Sequence, residues 1–454
     1  MGRGPRRACG VPWTATMRTR RASLAPAQSF HSELTVPGSK SLTNRALLIA
    51  ALAGGESRLR GALVAEDAEV MRVALQRLGA EIEELGPAPG GVDLRVRGVD
   101  GRWPVADVDL DVRLSGTAVR FLSAAVTLGR GRYRLDGTAR MRERPIEDQL
   151  EALRSLGVDA RSEHGSGCPP VIIEADGLPG GSVRVAGDRS SQYLSGLLLA
   201  APYARSPLTL EVSGTLQSKP FIDVTLAVMR AFAVEVERVG YERFVVPTGG
   251  YRARDYAIEG DAMAAGYFWA AAALTGGRAR TAGLGVASVQ GDTALLDVLE
   301  RMGARVERGD DAIEVRGVSE GRLRGGRFDL NAFPDQAQTL AVLALAAAEP
   351  VHIDDVWNLR IKETDRLQAL RIELERLGAR VEERDDGLTV WPLLTPPPPT
   401  LVQTYGDHRM AMAFALVGAR WPGVVIDDPD CVDKTYPGFW RDLAAAGVGV
   451  EVGA

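Results

Sequence analysis

The sequence predicts an α/β protein of two domains, each built from three βα units. Two observations predict it. A phrase made of a helical apolar pattern, a glycine turn and an alternating strand recurs six times at intervals of roughly 70–78 residues, which marks an internal repeat of one supersecondary unit. Each repeat also carries a second, more apolar helix with a polar start, and a helix apolar on every side is one that the fold buries.

In chain order the phrase reads Ala74-Leu-Gln-Arg-Leu-Gly-Ala-Glu-Ile82, Ala152-Leu-Arg-Ser-Leu-Gly-Val-Asp-Ala160, a degenerate Val228-Met-Arg-Ala-Phe-Ala-Val-Glu-Val236, Val298-Leu-Glu-Arg-Met-Gly-Ala-Arg-Val306, Glu373-Leu-Glu-Arg-Leu-Gly-Ala-Arg-Val381 and Asp442-Leu-Ala-Ala-Ala-Gly-Val-Gly-Val450. The glycine, missing only from the third copy, stands where a helix end takes left-handed backbone. The apolar helices begin near Lys40, Gly116, Ser190, Asp261, Asp335 and Asp407. Their N-termini offer unpaired amides and the positive end of the helix dipole, which suit phosphate or carboxylate, although any one of them alone is equally an ordinary N-cap. Six units divide into two domains of three near Glu259-Gly260-Asp261, and the proline run at 396–399 reads as a rigid loop between units five and six.

The net charge of −5 is unevenly spread: residues 1–30 hold six arginines and no acid, so the rest of the chain stands at −11. An acidic body argues against a nucleic-acid binder. The arginine-rich start reads as a disordered extension or as an upstream reading of a start at Met17, ahead of a transit peptide, because it lacks a clear amphipathic helix. Three scattered cysteines, Cys9, Cys168 and Cys431, suit a reducing compartment and supply neither a disulfide framework nor zinc spacing. No apolar run reaches the length of a membrane span. A soluble, cytoplasmic monomer is the expectation.

Of fifty-four cationic side chains only four are lysine: Lys40, Lys219, Lys362 and Lys434. Where arginine has met nearly every need for charge, the retained lysines are candidates for chemistry that a planar, permanently charged fork cannot do. Each sits in a dense polar string: Pro37-Gly-Ser-Lys-Ser-Leu-Thr-Asn-Arg45, Gln217-Ser-Lys-Pro220, Asn358-Leu-Arg-Ile-Lys-Glu-Thr-Asp-Arg366 and Asp430-Cys-Val-Asp-Lys-Thr-Tyr436.

These strings, with Gly116-Thr-Ala-Val-Arg120, Arg142-Glu-Arg-Pro145, Ser190-Ser-Gln192 and Asp407-His-Arg-Met-Ala-Met412, resemble in order the 3-phosphoshikimate 1-carboxyvinyltransferase (5-enolpyruvylshikimate-3-phosphate synthase) family of enolpyruvyltransferases, from about Leu34 to the C-terminus. The resemblance implies two inside-out α/β domains, each of three βαββαβ repeats around a pseudo-threefold axis. It places residues 31–38 with 261–454 in one domain and 39–260 in the other, with the chain crossing near Pro37-Gly38 and again near Gly260.

The resemblance also implies transfer of the enolpyruvyl group of phosphoenolpyruvate to the 5-hydroxyl of 3-phosphoshikimate, with release of phosphate and no metal or organic cofactor. By that likeness Lys40, Ser41, Arg45, Ser190, Ser191, Gln192, Ser218, Asp335, Asn358 and Lys362 hold 3-phosphoshikimate. Lys40, Gly116, Arg144, Gln192, Arg366, Arg409 and Lys434 hold phosphoenolpyruvate. Asp335 is the proton acceptor and Glu363 the donor, while Lys40 and Lys434 stabilise charge. Burial would raise the Glu363 pKa as a donor needs, and Lys362 and Arg366 would oppose it. His408 is given no proton-transfer role, being expected as a structural donor. Closure of the domains on 3-phosphoshikimate and inhibition by glyphosate competing with phosphoenolpyruvate follow from the same likeness. Two positions depart from the pattern: Leu114 replaces a polar amide and Phe221 a tyrosine. The sister enzyme acting on UDP-N-acetylglucosamine is the nearest rival, but neither Cys168 nor Cys431 lies in a matching loop string. A catalytically silent anion binder would be expected to lack Asp335, Glu363 or Lys434, and all three are present.

Overall fold

The computed structural model describes residues 20–318 and 322–453. Its strands form six four-stranded sheets of one pattern: a parallel pair extended by two antiparallel strands. Thus Gly326–Asp329 runs parallel to Val351–Asp354, which is followed by Gly387–Val390 and then Val381–Arg384. A buried helix, here Ala337–Ala344, makes the parallel crossover, and an outer helix, Arg366–Arg376, leads to the closing hairpin. The order along a unit is therefore βαβαββ, which corrects the expected βαββαβ. The last two strands form a tight hairpin, so the second helix must come before both.

Beside a small separate cluster of Leu63, Ala65 and Ala68, two large hydrophobic cores fill the described chain, one drawing on residues 22–36 and 262–448, the other on residues 42–258. We refer to them as the first and second domains. Helices Ala262–Thr275, Ala337–Ala344 and His408–Arg420 lie inside the first, and Lys40–Leu52, Gly116–Ala125 and Ser191–Ala200 inside the second, with sheets outside. These helices are buried on nearly every face, as their apolar sequences require.

The chain passes between the domains twice, and the two passages lie side by side. Gly38 and Gly260 form an antiparallel bridge, flanked by Ser39 N–H donating to the Glu259 carbonyl (2.9 Å) and Asp261 N–H donating to that of Pro37 (2.8 Å). The passages exchange strands. His31–Thr35 pairs with Arg278–Ala282 in the first domain, and Asp255–Ala257 pairs with Gly54–Ala62 in the second.

The expected N-terminal extension needs correction. Residues 1–19 lie outside the described chain, but Arg21–Ala25 is a strand between Val424–Asp427 and Gly449–Gly453, and it completes the sixth unit. Ala22 and Leu24 are buried while Arg21, Ser23 and Ala25 are exposed, a period-two pattern that the arginine-rich composition masked.

The repeat glycines take left-handed backbone: φ is 107° at Gly79, 87° at Gly157, 108° at Gly303, 89° at Gly378 and 102° at Gly447. Ala233 adopts φ 67° at the same point of the degenerate copy. The turn geometry persists without the residue that suits it, at about 1–2 kcal/mol for a side chain with a Cβ. Among the described residues no helix is long and apolar enough to cross a membrane.

Candidate active site

The six buried helices begin around a cleft between the domains. In the second domain their N-caps are Ser39, Ser115 and Ser190; Ser115 Oγ accepts from Ala118 N–H and Ser190 Oγ from Gln192 N–H. In the first domain Asp261 and Asp407 cap their helices, and Asp335 sits in the short turn Pro334–Gln336 ahead of the third, whose own cap is Gln336. The two sets touch: Lys40 N–H donates to Asp261 Oδ2 at 2.9 Å.

All ten residues expected to hold 3-phosphoshikimate line this cleft. Asn358 Nδ2 reaches Ser218 Oγ across the seam at 3.4 Å, and Ser218 itself has φ 55°. Arg45 is turned into the protein: its guanidinium donates to Thr225 Oγ1 (2.8 Å) and to the carbonyls of Ser41 (2.9 Å) and Phe221 (3.1 Å), and burial lowers its pKa to about 9. Phe221 lies on the cleft wall.

Of the residues expected to hold phosphoenolpyruvate, Lys40, Gln192 and Arg409 reach the same wall, while Arg144, Arg366 and Lys434 belong to a buried ionic cluster beside it. Lys434 Nζ lies 2.8 Å from Glu363 Oε1 and 3.4 Å from Asp67. Asp67 also meets Lys40 Nζ at 3.3 Å. Arg366 pairs with Asp407 (2.7 Å), Asp335 (2.9 Å) and Glu363 (3.0 Å). Arg409 meets Asp335 at 3.0 Å, Lys362 meets it at 3.7 Å, and Arg144 approaches Glu363 at 4.0 Å. Six cations thus converge on three buried carboxylates and the partly exposed Asp335, which hold them in place and leave an excess of positive charge toward the cleft.

Electrostatics decide the ionisation states. Burial pushes Glu363 up, but Lys434, Arg366 and Arg144 together hold it well below the ordinary carboxylate value. Of the two influences anticipated for this residue, the cations win. Burial likewise works against ionised Asp335, and Arg409, Lys362, Arg366 and Lys40 hold its pKa down. Lys434 goes the other way: despite burial, Asp67 and Glu363 raise its pKa. Burial lowers Lys362, against the pull of Asp335. His408 is neutral, held well below its usual pKa by burial and then by Lys434 and Arg409. Neither of its ring nitrogens finds a hydrogen-bond partner among the described residues, so it is not the structural donor expected.

Gly116 begins its helix against two guanidinium groups: a Cβ there would stand 2.6 Å from Arg144 Nη2 and 2.7 Å from Arg120 Nη1. The backbone carbonyl of Leu114 accepts from Arg144 Nη1 at 3.2 Å.

Four side chains here were not singled out from the sequence. Arg120 donates to Gln192 Oε1 (2.9 Å) and to the carbonyls of Gly116 and Pro145 (3.2 Å each), aiming Gln192; its spacing four residues after Gly116 was the available signal. Asp67 stands in a charged first turn, Glu66-Asp67-Ala-Glu69, indistinguishable by sequence from a solvated one. Arg140 crosses the seam to the carbonyls of Lys362 and Glu363, at 3.0 Å each. Asp292 is buried on the cleft wall with one carboxylate oxygen unpartnered among the described residues. Burial, then the charge of Asp335, raises its pKa to about 7.

The family model described as EPSP synthase (3-phosphoshikimate 1-carboxyvinyltransferase) matches residues 24–443. The 3-phosphoshikimate 1-carboxyvinyltransferase of Sulfurovum sp. (strain NBC37-1) is 44% identical over 427 residues, covering 93% of this chain and 98% of that protein. The enzyme of the same name from Nostoc punctiforme is 46% identical over 406 residues, covering 89% and 94%. Among solved structures, EPSP synthase from Acinetobacter baumannii superposes with a TM-score of 0.80 at 25% identity, covering 96% of this chain and all of that one. The enolpyruvyl transferase NikO from Streptomyces tendae shares the fold, with a TM-score of 0.77 at 20% identity over 96% of this chain and 99% of its own. Ordered motifs, repeat architecture and full-length similarity converge, and the chain belongs to the EPSP synthase (3-phosphoshikimate 1-carboxyvinyltransferase) family.

Proposed function

We propose that the protein transfers the enolpyruvyl group of phosphoenolpyruvate to the 5-hydroxyl of 3-phosphoshikimate, in the shikimate route to chorismate and aromatic amino acids. The observation that carries this reading is the buried cluster at the seam, where Lys434, Arg366 and Arg144 surround Glu363 next to a cleft walled by Lys40, Lys362, Arg409 and Asp335. Both substrates carry a phosphate and a carboxylate, and such a cluster matches paired anions through charge-assisted and bidentate hydrogen bonds.

3-Phosphoshikimate binds along the cleft wall, on Ser190, Ser191, Gln192, Ser218, Asn358 and Lys362, with Ser41 and Arg45 at one end. Phosphoenolpyruvate lies deeper, on Lys40, Gly116, Arg144, Gln192, Arg366, Arg409 and Lys434. The 5-hydroxyl oxygen attacks C2 of phosphoenolpyruvate as its proton passes to Asp335, and Glu363 delivers a proton to the methylene carbon. The tetrahedral adduct then loses phosphate, which carries away the proton held by Asp335, while the Glu363 carboxylate takes back a proton from the new methyl group and the double bond is restored. Lys40 and Lys434 stabilise the charge that develops on the departing phosphate. Substrate anions compensate the cations that keep Glu363 ionised, so its proton affinity rises as phosphoenolpyruvate arrives. One copy of the chain supplies every residue in this scheme, which supports a monomer. The free Cys168 and Cys431 fit a cytoplasmic setting.

The test is phosphate release from phosphoenolpyruvate and 3-phosphoshikimate, each alone and both together, with chelator present. Release only with both, undiminished by chelator, is expected. Release with UDP-N-acetylglucosamine in place of 3-phosphoshikimate would assign the chain to the sister reaction.

A further inference from the structure

The loop Arg140-Met-Arg142-Glu-Arg144 of the second domain holds three arginines with three destinations. Arg142 turns back into its own domain, onto Asp136 at 2.9 and 2.7 Å. Arg144 approaches the Glu363 carboxylate at 4.0 Å. Arg140 uses its guanidinium as a fork across the seam: Nε donates to the Glu363 carbonyl and Nη2 to the Lys362 carbonyl, both at 3.0 Å. Its remaining nitrogen is tied to Glu143 in the same loop, at 2.7 Å.

The two carbonyls need that fork. They lie in the irregular stretch between the short turn Trp357–Ile361 and helix Arg366–Arg376, where no backbone ladder serves them. Among the described residues Arg140 is the sole hydrogen-bond partner of either one. Backbone carbonyls that lose their partner in a buried site cost free energy, so the fork favours one orientation of this segment. The segment carries Lys362, directed toward Asp335 at 3.7 Å, and Glu363, held by Lys434 at 2.8 Å.

Resting on the transferase reading above, we propose that Arg140 is a positioning residue that couples closure of the domains to the aim of the Lys362–Glu363 segment. The fork comes from the domain opposite the segment it holds, so it exists only when the domains are together. In the open arrangement the Glu143 pair keeps Arg140 within its own loop, ready to cross. Closure then sets the direction of the proton donor in the same step that brings the acceptor substrate to it. A guanidinium suits the task because two parallel N–H groups span two successive carbonyls, which a single ammonium cannot do.

The test is steady-state kinetics of the full-length Arg140→Ala, Arg140→Lys and Arg142→Ala proteins. Arg140→Ala is expected to lose about ten- to a hundredfold in kcat, the scale of a small misplacement of a reacting group, with the KM of each substrate within about threefold. Added guanidinium at millimolar concentration should restore part of that kcat, and Arg140→Lys should remain impaired. Arg142→Ala, whose partner lies in its own domain, should keep kcat within about twofold. A wild-type kcat in Arg140→Ala would overturn the proposal. A loss that guanidinium does not relieve, accompanied by a lowered Tm, would also overturn it, since the residue would then be merely structural. Silence of the wild-type protein with both substrates would instead sink the transferase reading itself.

Discussion

The two domains bring helix ends of the same geometry to the cleft but cap them differently. The second domain uses serine at all three, Ser39, Ser115 and Ser190, whereas the first uses Asp261 and Asp407, with Asp335 just ahead of the third. A hydroxyl cap, as at Ser115 and Ser190, leaves the positive helix end free for an anion, whereas Ser39 makes no capping bond and its helix end instead donates Lys40 N–H to Asp261. A carboxylate at or just ahead of the helix end neutralises it and recruits cations instead, as the cap Asp407 recruits Arg366 and Asp335 recruits Arg366 and Arg409. The difference teaches a division of labour within one repeated unit. On the reading proposed above, the serine-capped domain contributes only groups that grip substrate, whereas the carboxylate-capped domain contributes both proton-moving residues, Asp335 and Glu363, alongside its own share of the binding residues.

The comparison breaks most severely at Asp335. Replacing it by Asn keeps its shape and removes the acceptor, and kcat should fall by about 10²–10⁴-fold, the usual worth of a positioned acid or base. Turnover within tenfold of wild type in a steady-state assay would remove Asp335 from that role. On the serine-capped side the corresponding change is Gly116→Ala, whose methyl would meet Arg144 and Arg120. Mild overpacking of this kind costs about 1–3 kcal/mol, so KM for phosphoenolpyruvate should rise about tenfold and competition by glyphosate should weaken with it. An inhibition constant for glyphosate independent of phosphoenolpyruvate would contradict a shared pocket.

Asp292 sharpens the same contrast through pH. Its pKa of about 7 stands above the unfolded value of 3.8, so its contribution to stability is fully present below the unfolded value and is lost as pH rises through about 7. Asp292→Asn should flatten that part of the stability profile, read as Tm between pH 4 and pH 8; an unchanged slope would show that the carboxyl titrates normally. The smallest effect is expected at the repeat turn itself. Ala233→Gly relieves left-handed strain that five glycines avoid elsewhere and should stabilise the protein by about 0.5–1 kcal/mol. A lowered denaturation midpoint would mean that the methyl group contributes packing that outweighs the strain.

What the sequence made legible was local. The five turn glycines, the buried helices and the lysine-bearing strings each declare themselves within about ten residues, because helical period and capping chemistry are short-range. The strand at Arg21–Ala25 was lost to composition, since its partners lie some four hundred positions away. Arg140 and Asp67 were illegible for a related reason. Each looks like an ordinary surface charge until the fold brings residues more than two hundred positions distant against it. The balance at Glu363 likewise depended on how many cations surround it, and only the assembled cluster supplies Lys434 and Arg144 alongside Arg366.

The division of labour is tested most directly by measuring 3-phosphoshikimate affinity by calorimetry, and kcat at saturation, for Ser190→Ala and Glu363→Gln side by side. The account predicts that Ser190→Ala weakens binding about tenfold, the worth of a lost hydrogen bond to a charged group, and keeps kcat within about threefold. It predicts that Glu363→Gln binds 3-phosphoshikimate nearly as wild type and loses at least about a hundredfold in kcat. The reverse pattern, with binding lost at Glu363 and turnover lost at Ser190, would contradict it.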